Sequence, residues 1–282
     1  MSDIDDLPPL KAVIASLGLA ARKSLGQNFL LDLNLTRRIA REAGPFKDSV
    51  ILEIGPGPGG LTRALMVEGA PEVIVVEKDE RCFPALEQIA AAYPKRLHIV
   101  MADALSLNEA ELLKGRRAHV VANLPYNVGT PLLIKWLMTS PWPPWFQSLT
   151  LMFQREVAER IVAAPNDSAY GRLSIMGQWR TRPRILFDVH RSAFTPSPKV
   201  TSTVVRFELL SEPRGSADAK LLERVTAAAF GQRRKMLRSS LRALGDFSDD
   251  LLLEAGLKPT DRAEDISVEG FTALARALAK RT

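Results

Sequence analysis

Val50-Ile51-Leu52-Glu53-Ile54-Gly55-Pro56-Gly57-Pro58-Gly59-Gly60 carries the pattern from which the architecture of the chain can be worked out. A β-branched apolar run breaks into glycines and prolines, and a helical pattern follows over about 60–68. Strand, tight turn and helix in that order open a βαβ unit. Glycines at 55, 57 and 60 carry the spacing of a nucleotide-binding turn, and Glu77 stands at the end of the next apolar run, where a ribose-binding acid belongs.

The same rhythm runs outward from this turn. Val73–Glu77, Leu97–Met101, Ala118–Ala122 and Ser148–Met152 read as further strands, and helices are expected near 80–92, 108–114 and 130–138. Near-continuous hydrophobicity marks strands buried on both faces, as in a parallel sheet covered by helices. The fold class is therefore α/β, a Rossmann-like, doubly wound sheet with its ligands at the carboxyl ends of the strands. Thr201–Phe207 reads as a last strand and Ser211–Ser216 as a linker, followed by helical patterns over 218–230, 232–244, 248–255 and 267–279. The predicted division is an extension over 1–22, an α/β domain over 23–210 and a helical domain over 211–282.

Composition excludes several function classes. With 282 residues, 46% hydrophobic and 25% charged, the chain has the make-up of a soluble globular protein. One cysteine, Cys82, rules out a disulfide framework and a cysteine-rich metal site, and His98, His119 and His190 lack metal-ligand spacing, so no metal is expected. The acidic start Met1-Ser2-Asp3-Ile4-Asp5-Asp6 is unlike a signal peptide, and no apolar run reaches membrane-spanning length. The chain reads as cytoplasmic, with no membrane partner. Its net charge of +6 makes a polyanionic partner reasonable without proving one.

Two nucleotides compete for the glycine turn. A pyrophosphate is gripped by backbone N–H groups, and Pro56 and Pro58 remove two of these. S-adenosylmethionine has no phosphate, so the prolines favour it without settling the choice. Glu77 can take the ribose diol, and Asp103, just after the third strand, can accept from the adenine amino group. Taken with Glu53, these successive strand-end acids make the methyl donor the better reading. The plain alternative for Asp103 is a turn or helix-cap aspartate.

Asn123-Leu124-Pro125-Tyr126 follows the fourth strand of the series. An adenine amine is a poor nucleophile because its lone pair is delocalised into the ring. Two acceptors holding its hydrogens free that pair. The Asn123 side-chain oxygen and the Leu124 or Pro125 carbonyl can serve, while Tyr126 can stack on a base drawn out of its helix. In-line positioning then suffices, with no covalent intermediate. The expected reaction is methylation of an adenine amine.

These motifs resemble those of the ribosomal RNA adenine dimethyltransferases of the KsgA/RsmA type, over about residues 22–266. Lys23-Ser24-Leu25-Gly26-Gln27-Asn28-Phe29-Leu30, Gln154–Arg160, Tyr170–Ser174 and Phe194–Val200 carry the similarity alongside the glycine turn and the tetrapeptide. The resemblance implies cofactor contacts by Asn28, Leu30, Gly55, Glu77, Asp103 and Asn123, with Gln27 and Ala104 adjacent, and a target-base pocket lined by Phe194 opposite Tyr126. From the residues alone, Phe194 reads as core. The resemblance further implies four methyl groups placed on two adjacent adenosines near the 3′ end of small-subunit (16S) ribosomal RNA, and a checkpoint late in small-subunit assembly. The implied partners are that RNA and the immature subunit, the protein acting as a monomer. The acidic N-terminus and Trp142-Pro143-Pro144-Trp145 have no counterpart in the family's motifs.

A basic concentration over 214–242 includes Arg233, Arg234, Lys235 and Arg238, which are predicted to open a helix and contact RNA. A solvated helix face is the plainer reading. Two other functions remain open at this level. One is a DNA adenine methyltransferase, disfavoured by Leu124 and by the segment around Gln27; the other is a non-catalytic RNA-binding assembly factor.

Overall fold

The nine strands of the computed structural model are β1 (Phe29–Leu30), β2 (Val50–Ile54), β3 (Glu72–Glu77), β4 (Leu97–Met101), β5 (Ala118–Ala122), β6 (Phe146–Gln154), β7 (Thr181–Val189), β8 (Phe194–Thr195) and β9 (Ser202–Leu209), among the described residues 7–22 and 26–281. Seven form one sheet in the order β4-β3-β2-β5-β6-β9-β7. The pairs β2–β3, β3–β4, β2–β5 and β5–β6 are parallel. From β2 the chain winds to one side through β3 and β4, then returns to β5 and winds to the other. The reversal between β2 and β5 is the switch point at which such sheets open a crevice. All five residues of β2 are buried, as the apolar run requires, whereas β4 at the sheet edge is half exposed.

The described helices are α1 (Leu10–Ser16), α2 (Leu33–Ala43), α3 (Gly60–Val67), α4 (Phe83–Ala92), α5 (Glu109–Leu113), α6 (Tyr126–Leu137), α7 (Arg155–Val162), α8 (Arg172–Arg180), α9 (Ala219–Gly231), α10 (Leu237–Ser240), α11 (Ser248–Ala255) and α12 (Val268–Ala279). Chain contacts divide the protein into two units. The first runs up to Leu132 and adds Pro144–Arg155 and Ile185–Phe207; the second takes Leu133–Pro143, Glu156–Arg184 and the chain from Glu208 onward. This interleaved division differs from three consecutive segments cut at 22/23 and 210/211, because α8 packs its Ile175, Met176 and Trp179 into the same core as Leu222, Val225, Phe271 and Leu278.

In the first unit the core joins Ile39 and Ala43 of α2, Leu61 and Leu65 of α3, and Leu86 and Ile89 of α4 to Ile51, Val73, Val75 and Val121 of the strands. In the second, the Tyr170 hydroxyl donates to the Ile266 carbonyl at 2.8 Å and Phe230 stacks on Phe271. The stretch read as a linker is anchored: Arg214 N donates to Trp179 O, and the Trp179 indole donates to Gly215 O.

Some elements depart from the sequence expectations. The strand β7 carries Pro183, which costs little on an edge, and its mixed burial gives no clean period-two signal. The helix expected over 232–244 is broken. Residues Gln232 to Lys235 form a turn and Met236 is extended, bridging Arg262, with Leu237 N donating to Asp261 O at 2.8 Å. A tertiary backbone pairing outweighs the local helical propensity of this basic run.

Candidate active site

The glycine turn is the floor of the site. Gly55 N donates to Val76 O, Gly57 N to Glu77 Oε2 and Gly59 N to Pro56 O, while Pro56 and Pro58 have no N–H to offer. Every donor from 55 to 59 is thus consumed inside the protein, so this turn has none left for a pyrophosphate. Gly55 has φ of +67° and nothing within 4 Å of where a Cβ would stand, so the floor is kept open there. Gly60 is different: an added Cβ would lie 2.5 Å from the Leu30 carbonyl oxygen, which brings the segment of β1 down onto the start of α3.

Three carboxylates follow at successive strand ends. Glu77 at the end of β3 is 6% exposed and accepts from the backbone N–H groups of Gly57, Lys78 and Asp79. Burial still raises its pKa above the usual carboxylate value. Glu53 on β2 is 1% exposed and accepts from Thr62 Oγ1 at 2.7 Å; burial, helped by the charge of Glu77, pushes its pKa up to about 8. It is therefore a neutral acid at pH 7. Asp103, after β4, accepts from Leu105 N at 3.0 Å, which is a turn role, and from Lys78 Nζ at 2.7 Å.

At the end of β5 stands the tetrapeptide. Pro125 O accepts from Val128 N and Gly129 N, so it opens α6 at Tyr126, earlier than the pattern near 130 indicates. That spends the Pro125 carbonyl on the helix start. The Leu124 carbonyl accepts from none of the described residues, which makes it the better of the two candidate acceptors. Asn123 Nδ2 donates to the Asn28 carbonyl at 3.4 Å, leaving Oδ1 as its acceptor end. The Tyr126 hydroxyl shares a 2.7 Å hydrogen bond with Ser202 Oγ of β9, which fixes the ring.

A two-stranded antiparallel ribbon completes the wall: Phe29 pairs with Thr195 and Leu30 with Phe194. Phe194 is 4% exposed, belongs to the core cluster and also lines the cavity. The cavity has a volume of about 310 Å3. It brings together every residue named for catalysis or cofactor contact, that is Gln27, Asn28, Leu30, Gly55, Glu77, Asp103, Ala104, Asn123, Leu124, Pro125, Tyr126 and Phe194. Lys23, Ser24, Leu25 and Met1–Asp6 lie outside the described residues.

Lining residues that sequence reasoning passed over include Lys78, Asp79 and Asn127. The first two directly follow Glu77, and only that adjacency could have drawn notice to them. Asp79 is buried yet held down to about 2, chiefly by its hydrogen bonds from Arg81. Cys82 is buried, with burial pushing its thiol up to about 12, which makes it unfit as a nucleophile.

The basic set in the second unit does not share one environment. Arg234, Lys235 and Arg238 are exposed, but Arg233 is bound to Glu264 Oε2 at 2.9 Å and to Asp167 O. Arg180 is enclosed, its guanidinium over Trp179 and Trp142, which gives the tryptophan-proline segment a packing role. No described helix is long and apolar enough to cross a membrane, and no described cluster of His, Cys, Asp and Glu could hold a metal ion.

The family model for ribosomal RNA adenine dimethylases matches residues 18–280. The chain belongs to this family. Among its relatives, Ribosomal RNA small subunit methyltransferase A of Rhodopseudomonas palustris (strain BisA53) is 61% identical over 279 residues, covering 99% of this chain and 97% of that protein. The protein of the same name from Ruegeria sp. (strain TM1040) is 60% identical and is covered in full, against 99% of this chain. Of the solved structures, a dimethyladenosine transferase from Plasmodium falciparum has a TM-score of 0.72 at 24% identity, over 89% of this chain and 97% of that one. The 23S rRNA methyltransferase ErmE has a TM-score of 0.65 at 26% identity, over 89% and 100% respectively. The Rossmann-like methyltransferase fold with a helical C-terminal part follows from these likenesses. Family membership makes the chain an enzyme that dimethylates adenine in ribosomal RNA, as the resemblance implies.

Proposed function

We propose that this enzyme uses S-adenosylmethionine to dimethylate the N6 amines of two adjacent adenosines near the 3′ end of small-subunit ribosomal RNA, on the immature subunit. It would work as a monomer in the cytoplasm and give S-adenosylhomocysteine as product. The observation that carries the reading is the loop Asn123–Tyr126 at the switch point, with one acceptor at Asn123 Oδ1 and another at the Leu124 carbonyl.

The cavity suits this methyl donor better than a dinucleotide, since the glycine turn has no free donor from 55 to 59 and acids stand at the strand ends. Glu77 would take the ribose hydroxyls, with lone pairs beyond those used by the backbone. Asp103 and Ala104 would border the adenine, and Gly55, Asn28 and Leu30 the methionine portion. When bound, S-adenosylmethionine supplies an electrophilic methyl group. The chain's own work is to hold the target. Asn123 Oδ1 and Leu124 O accept the two amine hydrogens, localising the nitrogen lone pair, while Tyr126 and Phe194 sandwich the base and exclude water. The second methylation finds one hydrogen fewer on the amine, so one acceptor suffices.

Arg234, Lys235 and Arg238 are the proposed phosphate contacts, with Arg233 bracing their turn through Glu264. A role in late subunit assembly would follow from acting on the immature subunit.

The test is labelled methyl transfer to immature small subunits, with mass spectrometry of the nucleosides. N6,N6-dimethyladenosine is the expected product. Activity on duplex DNA with none on the subunit would refute the reading. Asn123→Ala should reduce transfer at least about a hundredfold while the fold is retained, and near wild-type turnover would remove its acceptor role.

A further inference from the structure

Asp79 is linked to the proposed acceptor residue by two hydrogen bonds joined through the backbone of Gln27 and Asn28. Its Oδ2 accepts from Gln27 Nε2 at 2.8 Å, and Arg81 donates to both of its oxygens, Nε to Oδ1 and Nη2 to Oδ2. The Gln27 side-chain oxygen accepts from Arg22 N at 2.9 Å, and Gln27 N donates to Arg22 O, so the Gln27 side chain is spent on holding its own segment. Arg81 Nη1 reaches the Ala20 carbonyl of the same segment at 3.1 Å. The next residue, Asn28, has its side chain tied to Gly26 O, and its carbonyl receives Asn123 Nδ2. Gly26 stands against the tetrapeptide: a Cβ there would lie 3.0 Å from Asn127 Oδ1 and 3.2 Å from the Pro125 side chain.

We propose that Asp79 and Gln27 are positioning residues for methyl transfer, acting on Asn123 through the Asn28 carbonyl. A primary amide has two nearly isosteric ends, and turning it over would exchange the acceptor for the donor. A donor end facing the target amine would repel its hydrogens and leave the nitrogen lone pair in the ring. The Asn28 carbonyl can only accept, so it binds the NH2 end of Asn123 and reserves Oδ1 for the amine. Asn28 is held within hydrogen-bonding reach by the residue before it, whose side chain is fixed by Asp79. The charge of Asp79 is stabilised by Arg81 in a site 6% exposed, so the anchor keeps its charge across the working pH range.

This inference rests on the methyl-transfer reading. It goes beyond it by assigning roles to two cavity-lining residues whose side chains are hydrogen-bonded to each other. Full-length wild type, Asp79→Asn, Gln27→Ala and the double variant would be compared by calorimetry with S-adenosylhomocysteine. Single-turnover methyl transfer at saturating S-adenosylmethionine and thermal melting would be run in parallel. Each single variant should transfer about tenfold to a hundredfold more slowly, the cost of a reacting group displaced by an ångström or less. Any loss of affinity for S-adenosylhomocysteine should be smaller than the loss of rate at saturating cofactor. The double variant should be no slower than the worse single, because both changes cut one chain.

Wild-type turnover in Gln27→Ala, a loss that vanishes at saturating cofactor, or losses that multiply in the double variant would each overturn the inference. Gln27→Ala decides the matter even should Asp79→Asn fail to fold. A wild-type protein that neither binds S-adenosylhomocysteine nor transfers methyl groups would instead overturn the function on which it rests.

Discussion

Replacing Glu53 by glutamine is expected to change how stability depends on pH. The folded-state pKa of Glu53 is raised from 4.5 to about 8, with burial the main cause. Between those two values the native protein keeps a proton that the unfolded chain has released, so stability falls as pH rises. Full stability is present below about pH 4.5, and the loss is complete once pH has passed through about 8. At about 1.4 kcal/mol per unit, a shift of this size corresponds to about 4–5 kcal/mol as an upper bound. Glutamine has nearly the same shape, can still accept from Thr62 Oγ1, and does not titrate.

The difference in unfolding free energy between Glu53→Gln and wild type should therefore grow in favour of the variant from about pH 5 to about pH 9, by several kcal/mol. Urea unfolding of both proteins at each pH measures it, and titrating groups that do not interact with Glu53 cancel in the difference. A difference that stays flat across this window would show that Glu53 ionises normally in the folded protein, and the reading of a neutral acid beside Glu77 would fall.

Gly60→Ala sets two effects against each other. Alanine gains about 0.5–1 kcal/mol over glycine in a helix. A Cβ placed 2.5 Å from the Leu30 carbonyl forces the backbone apart, at about 1–3 kcal/mol. Net destabilisation is expected in thermal melts, with weaker S-adenosylhomocysteine binding; a raised melting temperature would contradict the close approach. Tyr126→Phe should lose about 0.5–1.5 kcal/mol of stability with the Ser202 hydrogen bond but keep most activity, whereas Tyr126→Ala should lose the activity, as methyl-transfer rates would tell. Arg234→Glu with Lys235→Glu should weaken RNA binding and flatten its salt dependence by about 0.7–0.9 for each phosphate no longer neutralised, leaving S-adenosylhomocysteine affinity unchanged. An unaltered salt slope would place the RNA elsewhere.

The parallel sheet and its glycine turn are legible in the apolar runs alone. Burial on both faces demands unbroken apolar runs, and β2, β3 and β5 show them. The turn that follows β2 demands glycine, and the proposed site residues Glu77, Asp103 and Asn123 stand at or just past strand ends because the backbone carries them there.

Tertiary structure decided what local pattern cannot encode. Residues 232–235 look helical, yet the pairing of Met236 with Arg262 takes the backbone out of the helix, and Glu264 captures Arg233. The strand β7 is visible only as an edge, where a proline is tolerated. Prolines at 56 and 58 reduce the donors of the glycine turn, but only the fold spends the remaining ones on Val76, Glu77 and Pro56. Likewise Asn123 is legible as a possible acceptor, whereas the carbonyl of Asn28 that turns its amide lies 95 positions away. Spacing along the chain can propose which groups have the right chemistry; the direction in which an amide faces is set by contacts that close only when distant segments meet.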